Sequence, residues 1–466
     1  MDLIAILLPL GLLMWVAYRG YSVILFAPLC ALLGVVLTDG LAHGLPFHSN
    51  IFMVTLADFI QKYFAVFLLG AVFGKLVELS GVAASIAKAI VSLLGPKRAM
   101  TAIVLACAVL TYGGVSLFVV AFAAYPFAAS LFREAKLPKR LIPGTIALGS
   151  FTFTMDALPG TPQIQNIIPT TFFGTTIYAA PVLGTFGAVV IFGCGMAYLQ
   201  WRARQALAQG EGYGLGHLNE PEAGPPDARL PNPWLAILPL ALVGGMNLVL
   251  TRSLPVWYGE SFDFAAIGLP KFPAVQVASV VSIWSIELAL LAGIAAAFAI
   301  GYSRIMPTVR SGLTHAVSGA LLATMNTASE YGFGTVIASL TGFSAVKSAI
   351  GSVFAHPLVN EAVSVNVLAG ITGSASGGLA IALAAMGNQY LDAAQAAGIS
   401  PEVLHRIASM ASGGMDTLPH NGAVITLLVI TGLTHRQSYR DIFTITLIKT
   451  ATVFLVIGFH VLTGLV

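Results

Sequence analysis

The chain has 466 residues, 57% of them hydrophobic and 9% charged, with 22 Lys and Arg against 19 Asp and Glu for a formal net charge of +3 and a mean hydropathy of +0.88. Soluble domains carry about 25% charged residues, so a fold with a water-covered surface is excluded, and nothing in so small a net charge points to a nucleic-acid partner. Apolar runs of bilayer-spanning length, roughly 17–25 residues, recur from end to end, while the alternating pattern of a membrane barrel is absent. An all-α polytopic membrane protein is expected.

The N-terminal stretch MDLIAILLPLGLL carries an Asp and no basic region, and reads as a retained segment, not a cleavable signal peptide. Helical segments follow at 3–18, 22–38, 51–79, 99–132, 141–173, 180–204, 234–251, 275–301, 315–340, 361–395, 403–434 and 440–464. Amphipathic stretches at 80–95 and 341–355 lie between spans, and the polar stretch 205–233 reads as a cytoplasmic linker between two halves. Cys30, Cys107 and Cys194 are odd in number and lie in apolar surroundings, which suits reduced, packed thiols. There is no CxxC, HExxH, P-loop, GxSxG or dinucleotide fingerprint, so no metal site, cofactor or soluble-type enzyme activity is expected.

The halves resemble each other. At an offset of 260 residues Gly113 pairs with Gly373, Ser116 with Ser376, Asp156 with Asp416, and Leu158-Pro159 with Leu418-Pro419; near it FGKLVELSG (73–81) meets FGTVIASLTG (333–342). The division expected is a first repeat, 1–204, the linker 205–233, and a second repeat, 234–466. Each repeat holds one apolar segment with a centre of small residues, LTYGGVSLF (110–118) within 99–132 and ITGSASGGLA (371–380) within 361–395. Two half-length helices meeting at such a tip form a re-entrant hairpin, tolerated at membrane depth only where protein or a water-filled cavity satisfies the backbone. A continuous span with a glycine kink is the plainer alternative. With the N-terminus outside, fifteen Lys and Arg fall in the cytoplasm, Arg252, Lys271, Lys347 and Arg406 fall outside, and Lys62, Lys75 and Lys449 lie within spans. That is the inward bias expected of positive charge. Five spans separate the hairpins, so the repeats are inverted, an architecture of secondary transporters.

Each repeat also interrupts a span around an Asp: MDALPGTPQIQN (155–166) within 141–173 and MDTLPHNG (415–422) within 403–434. Proline removes a backbone donor and clashes with the preceding turn. Each span therefore splits, and its second half-helix presents free N–H groups and a positive dipole end that suit an anion. The hairpin tips add two more such ends. Four ends meeting mid-bilayer make a small anion site, with no Lys or Arg in any of the four motifs. Candidate substrate contacts are Tyr112, Gly113, Gly114 and Ser116 at the first tip and Thr161, Gln163 and Asn166 at the first break. Their counterparts are Gly373, Ser374, Ser376 and Gly377 at the second tip, and Thr417, His420 and Asn421 at the second break. Each polar one has the alternative task of satisfying exposed backbone.

Asp156 and Asp416, with Glu330 as a third acid, are the candidates for proton coupling. A carboxylate beside an anion site repels the substrate until it is protonated, so proton and anion bind together. Helix capping is the alternative task for the aspartates. His356, His405 and His460 receive no role, and Asp58, Glu78 and Glu361 are placed near the membrane interfaces.

The stretch LTYGGVSLFVVAFAAYPFAASLFREAKLPKRLIPG (110–144), followed by FTFTMDALPGTPQIQNIIP (151–169), resembles the gluconate permease (GntP) family of the ion-transporter superfamily, and the likeness runs over most of the chain. The resemblance implies proton-coupled uptake of a small organic anion, a sugar acid such as gluconate or a hydroxycarboxylate, across the bacterial inner membrane. It implies a multi-pass homodimer in the lipid bilayer, whose transport domain moves as an elevator against a scaffold. It places substrate and coupling ion at 112–116, 156–166, 373–378 and 416–422. The tips read YGGVS and GSASGG where dicarboxylate carriers have Ser-Asn-Thr, which argues against sodium as the coupling ion. The alternatives are a sodium-coupled carboxylate symporter or a cation/proton antiporter of the same superfamily, and, from another class, an anion channel or receptor. The long hydroxyl and amide donors of the breaks argue against the antiporter, and the 205–233 linker is too short for a signalling domain.

Overall fold

The computed structural model describes residues 8–13, 15, 16, 19, 21–115, 117–220, 230–340, 343, 356–419 and 421–466. Ser116, His420, part of the first segment 3–18 and, apart from Phe343, the stretch 341–355 lie outside them. Lipid offers the peptide group no partner, so a chain that spans it closes its hydrogen bonds within helices. Among the described residues the only β pairing joins β1 (Ser261–Phe262) to β2 (Val275–Gln276), antiparallel.

Helix α1 (Val23–Thr38) leads to α2 (Met53–Leu79), the amphipathic α3 (Val82–Leu94), and the pair α4 (Ala99–Tyr112) and α5 (Leu117–Glu134). Next come α6 (Ile142–Ser150), α7 (Ile164–Phe173) and α8 (Pro181–Ala208), then α9 (Pro233–Tyr258), α10 (Val277–Ile305) and α11 (Val309–Ser339). A second pair, α12 (Pro357–Thr372) and α13 (Ala375–Ala396), precedes α14 (Pro401–Ser412), α15 (Gly422–Thr431) and α16 (His435–Thr463). Among the described residues five helical stretches are long and apolar enough to cross a bilayer: Leu41–Leu79, Pro181–Ala208, Pro233–Tyr258, Val277–Ile305 and His435–Thr463.

One bundle is built from α1, α2, α9, α10 and α11. Here α2 lies against α10 and α11, α1 against α11, and α9 against α10. Phe59 of α2 meets Tyr63 and Tyr331 at ring-centroid distances of 4.6 and 5.5 Å. The second group packs α4 on α5 and α6, α12 on α13 and α14, and α8 on α16. Contacts across the halves are reciprocal: α7 packs on α13 and α14, and α15 packs on α5 and α6.

Gly114 (φ +90°) and Gly373 (φ +64°) turn the chain at the two tips. Both backbones are left-handed, a conformation that costs a residue with a Cβ roughly 1–2 kcal/mol. In the second pair the arms cross so closely that a Cβ on Gly378 would fall on the backbone N and Cα of Ala369. Gly378→Ala is therefore expected to cost about 1–3 kcal/mol, read as a lower thermal unfolding temperature of the purified protein. Gly319→Ala in α11, with open space at its Cβ, is the control that leaves this temperature unchanged.

After α8 the chain doubles back along the roots of α5 and α6. Arg140 makes a two-pronged hydrogen bond to Glu211, 2.7 Å for each arm, and this holds the Glu211 carboxyl below its usual range. Lys139 lies 2.8 Å from Glu220, and Arg133 pairs with the same carboxylate. Asn219 donates to Val429 O at 2.7 Å. The stretch expected as a linker thus begins within α8, and its first part is pinned to the second group of helices. Farther on, Pro231 O accepts from Ser85 Oγ of α3 at 2.7 Å.

Candidate functional site

The first break opens earlier than its prolines predict. Helix α6 ends at Ser150, Phe153–Asp156 make a single turn, and α7 starts only at Ile164. Hydroxyls take up the carbonyls in between: Thr152 Oγ1 donates to Leu148 O at 2.6 Å, Thr154 Oγ1 to Gly149 O at 2.7 Å, and Thr161 Oγ1 to Thr154 O at 2.8 Å. Such local bonds compete with the helix ladder. At the second break α14 ends at Ser412, the turn Met415–Thr417 carries Asp416, and α15 starts at Gly422. Asn421 caps α15, its Oδ1 accepting from Val424 N at 2.9 Å.

Each break is tied to the tip of its own half. Gln163 Nε2 donates to Thr111 O at 2.8 Å and Val115 O at 3.3 Å, and the Tyr112 hydroxyl donates to Pro159 O at 2.9 Å. In the other half Asn421 Nδ2 donates to Gly373 O at 2.8 Å. Ser374 caps α13 by accepting from Gly377 N at 3.0 Å, and Ser376 Oγ lies 3.3 Å from Thr327 Oγ1. Thr417 bonds Thr446. Asn166 is saturated, donating to Thr161 O and Ile177 O while its Oδ1 meets His405 Nε2 and Arg406 Nη1, each at 3.0 Å. In this conformation the candidate side chains hold interrupted backbone. Tyr112 is 39% exposed, Gln163, Ser374 and Ser376 are half-buried, and Thr161, Asn166, Thr417 and Asn421 are buried. Ser116 and His420 lie outside the described residues.

Two cations stand where none is expected. Arg406, placed by its sequence context on the outer face, is fully buried. It donates from Nη1 to Asp156 O at 3.1 Å and from Nη2 to Ala179 O at 2.8 Å and Ile177 O at 3.3 Å. Ser409 Oγ donates to the same Asp156 O at 2.9 Å. The physical reason is that the first break leaves carbonyls without helical partners, and the polar face of α14 satisfies them. Lys449, midway along α16, donates to Phe151 O at 2.7 Å and lies 2.6 Å from Asp156 Oδ2. The latter is an ion-pair contact outside the angles of a directional hydrogen bond. A lone Lys inside an apolar span needs a counter-charge, and that was the available signal. A Cβ on Gly413 would overlap both Asp156 Oδ2 and Lys449 Nζ, so the second break reaches this pair as bare backbone.

Asp156 is fully buried and Asp416 is 5% exposed, and the Oδ1 of each has no hydrogen-bond partner. Asp416 lies within Coulombic reach of both Lys449 and Asp156. Asn366 Oδ1, against Gly414, is likewise unpartnered. Glu330 of α11 is buried against Gly377 at the second tip, with Oε2 unpartnered. Glu361, expected near an interface, lies close to the start of α12 and is fully buried, with both oxygens unpartnered. The centre thus gathers two acids, two cations and several oxygens that only accept hydrogen bonds. Chemically it can take up a proton and present Lys449 to another anion.

No family model matches the chain. Over 473 aligned residues, covering the whole of both chains, it is 61% identical to an uncharacterized transporter, YxjC, of Bacillus subtilis strain 168. A solved structure of the YdaH transporter of Alcanivorax borkumensis, 14% identical, covers 90% of this chain and 90% of its own at a TM-score of 0.49.

Proposed function

The chain belongs to the transporter family of YxjC, and we propose that this multi-pass membrane transporter is a proton-coupled symporter of a small organic anion, a sugar acid such as gluconate or a hydroxycarboxylate. One observation carries the reading: at the first break buried Asp156 pairs with buried Lys449 and takes Arg406 on its backbone oxygen, and the second break brings buried Asp416 within electrostatic range of Lys449. A substrate carboxylate added to this balanced set leaves one charge uncompensated. Its repulsion by a single aspartate 4 Å away is about 4 kcal/mol at an effective dielectric constant of 20. Protonating one aspartate removes that repulsion and restores neutrality once the anion is in place. With Asp416, which no ion pair holds among the described residues, carrying the proton, the charge of Lys449 is left to be answered by the incoming carboxylate together with Asp156. The unpartnered carboxylate and amide oxygens of Asp156, Asp416 and Asn366 support the same reading, because each only accepts and a proton turns a carboxylate into a donor. The N-termini of α7 and α15 add positive potential, and half-buried Gln163, Ser374 and Ser376 with Tyr112 suit substrate hydroxyls.

The proposal includes two inverted repeats, 1–204 and 234–466, joined by 205–233. The reciprocal packing of α1 on α11 and α10 on α2, and of α7 and α15 on opposite halves, supports it. In this reading α1, α2 and α9–α11 form a scaffold. The hairpins and interrupted helices move against it as an elevator, in a homodimer of the gluconate-permease kind in the bacterial inner membrane.

Reconstituted into liposomes, the protein is expected to accumulate a labelled sugar acid or hydroxycarboxylate when the exterior is acidic, and a protonophore is expected to abolish the accumulation. Accumulation driven by a sodium gradient alone, with none from a pH gradient, sinks the proton assignment. Cation-driven proton efflux with no uptake across a panel of monocarboxylates, sugar acids and tricarboxylates marks an antiporter instead.

A further inference from the structure

A cavity of about 560 Å³ opens where α4 begins and α5 and α8 end. Lys97, Arg98 and Arg204 line it, with Glu134 as its single acid. Among the described residues no side-chain hydrogen bond or ion pair engages any of the four. Their neighbours differ: Arg133, Lys139 and Arg140 are all committed to Glu220 or Glu211. Three unpaired cations around a concave space repel one another and are relieved by an anion. The N-terminus of α4, 14 residues long, opens on the same space through Ala99, Met100 and Thr101, and its dipole adds to the positive potential.

The depth of the cavity selects the source of that anion. Trp201, 52% exposed, lies one turn before Arg204 on α8, and Trp marks the membrane–water boundary. Helix α8 has 28 residues. At 1.5 Å per residue it is about 42 Å long, against a hydrocarbon layer of about 30 Å, so its last turns stand among headgroups. Helix α3 bends away from α4 by 102° and leaves Leu93 84% exposed beside the opening, a course along the boundary plane.

We infer that this cavity binds the phosphodiester headgroup of an anionic membrane lipid, with Lys97, Arg98 and Arg204 as its counter-charges. A free phosphate shares that chemistry, but the cavity also has room for the glycerol backbone, and its lining continues from Arg204 back along α8 to Ala203 and Gln200, at the level of Trp201.

Native mass spectrometry of the detergent-purified full chain, with phosphatidylglycerol or phosphatidylcholine added, reads the site. The wild type is expected to retain phosphatidylglycerol in preference to phosphatidylcholine. K97Q/R98Q/R204Q is expected to lose that retention by about fivefold for each charge removed, whereas K97R/R98K/R204K keeps it. Glu134→Gln, which removes only the acid, is expected to raise retention and needs none of the cations to be altered. Equal retention of phosphatidylglycerol by the neutralised variant, equal retention of phosphatidylcholine by the wild type, or no change in Glu134→Gln overturns the site. Displacement of the lipid by inorganic phosphate overturns the lipid as its source, and failure of phosphate to compete supports it.

Discussion

Lys449→Met is expected to yield a protein that no longer accumulates substrate and that unfolds at a markedly lower temperature. The substitution strips Asp156 of its one ion-pair partner among the described residues, at 2.6 Å. Removing one member of a buried pair typically costs about 3–5 kcal/mol, because the other charge stays buried and uncompensated. Asp156 has nothing to fall back on: its Oδ1 is unpartnered, and Arg406 reaches its backbone oxygen. The double variant D156N/K449M removes both charges and is expected to regain most of the stability but none of the accumulation. Thermal unfolding of the two single variants and the double completes a cycle whose coupling energy belongs to the pair. If Lys449→Met melts with the wild type, the ion pair is worth little and the charge balance behind the symport reading falls with it.

Asp416→Asn addresses the other acid. Asp156 is held by Lys449, whereas Asp416 has no ion pair among the described residues and keeps Oδ1 free, which makes it the aspartate better placed to exchange a proton. In the wild type a lower external pH adds the proton and strengthens anion binding, so KM is expected to rise as the exterior becomes alkaline. Asparagine imitates the protonated acid at every pH. The variant is expected to show a flat KM, to exchange internal for external substrate, and to lose acid-driven accumulation. The loss should be tenfold or more, since a repulsion of only about 1.4 kcal/mol already carries that factor. A KM that climbs with pH in D416N as it does in the wild type would leave Asp416 with a capping task alone.

The helices themselves are legible in the sequence. The expected 22–38 and 51–79 correspond to Val23–Thr38 and Met53–Leu79, because an apolar run bounded by polar or glycine residues has few other ways to cross lipid. The second half-helices are legible too, since Pro159 and Pro162 announce an interruption and α7 begins just beyond them at Ile164. Where α6 stops is not legible. Thr152 and Thr154 turn their hydroxyls back onto its carbonyls well before the first proline, and that competition leaves no periodic trace. Candidate residues were found wherever glycine, proline or an Asp stood out within an apolar run. Arg406 and Lys449 were not. The carbonyl that Arg406 serves is 250 residues away along the chain, and nothing local in α14 reveals it. Its place near the start of an expected span puts Arg406 outside the membrane by sequence, whereas in the fold it is fully buried.

The guanidinium of Arg406 also decides what cannot come apart. Its five hydrogen bonds run from the second interrupted helix to the loop and side chains of the first, so pulling those two elements away from each other would strand a charge in a dry interior. The two interrupted helices are therefore stapled together along that line, and in the proposed symporter access to the substrate has to be opened along another. The seam between α11 and α13 is suited to slippage. There Gly334 sits flush against Ile381 and Glu330 against Gly377, and among the described residues the one side-chain hydrogen bond between the two helices is that of Thr327 with Ser376.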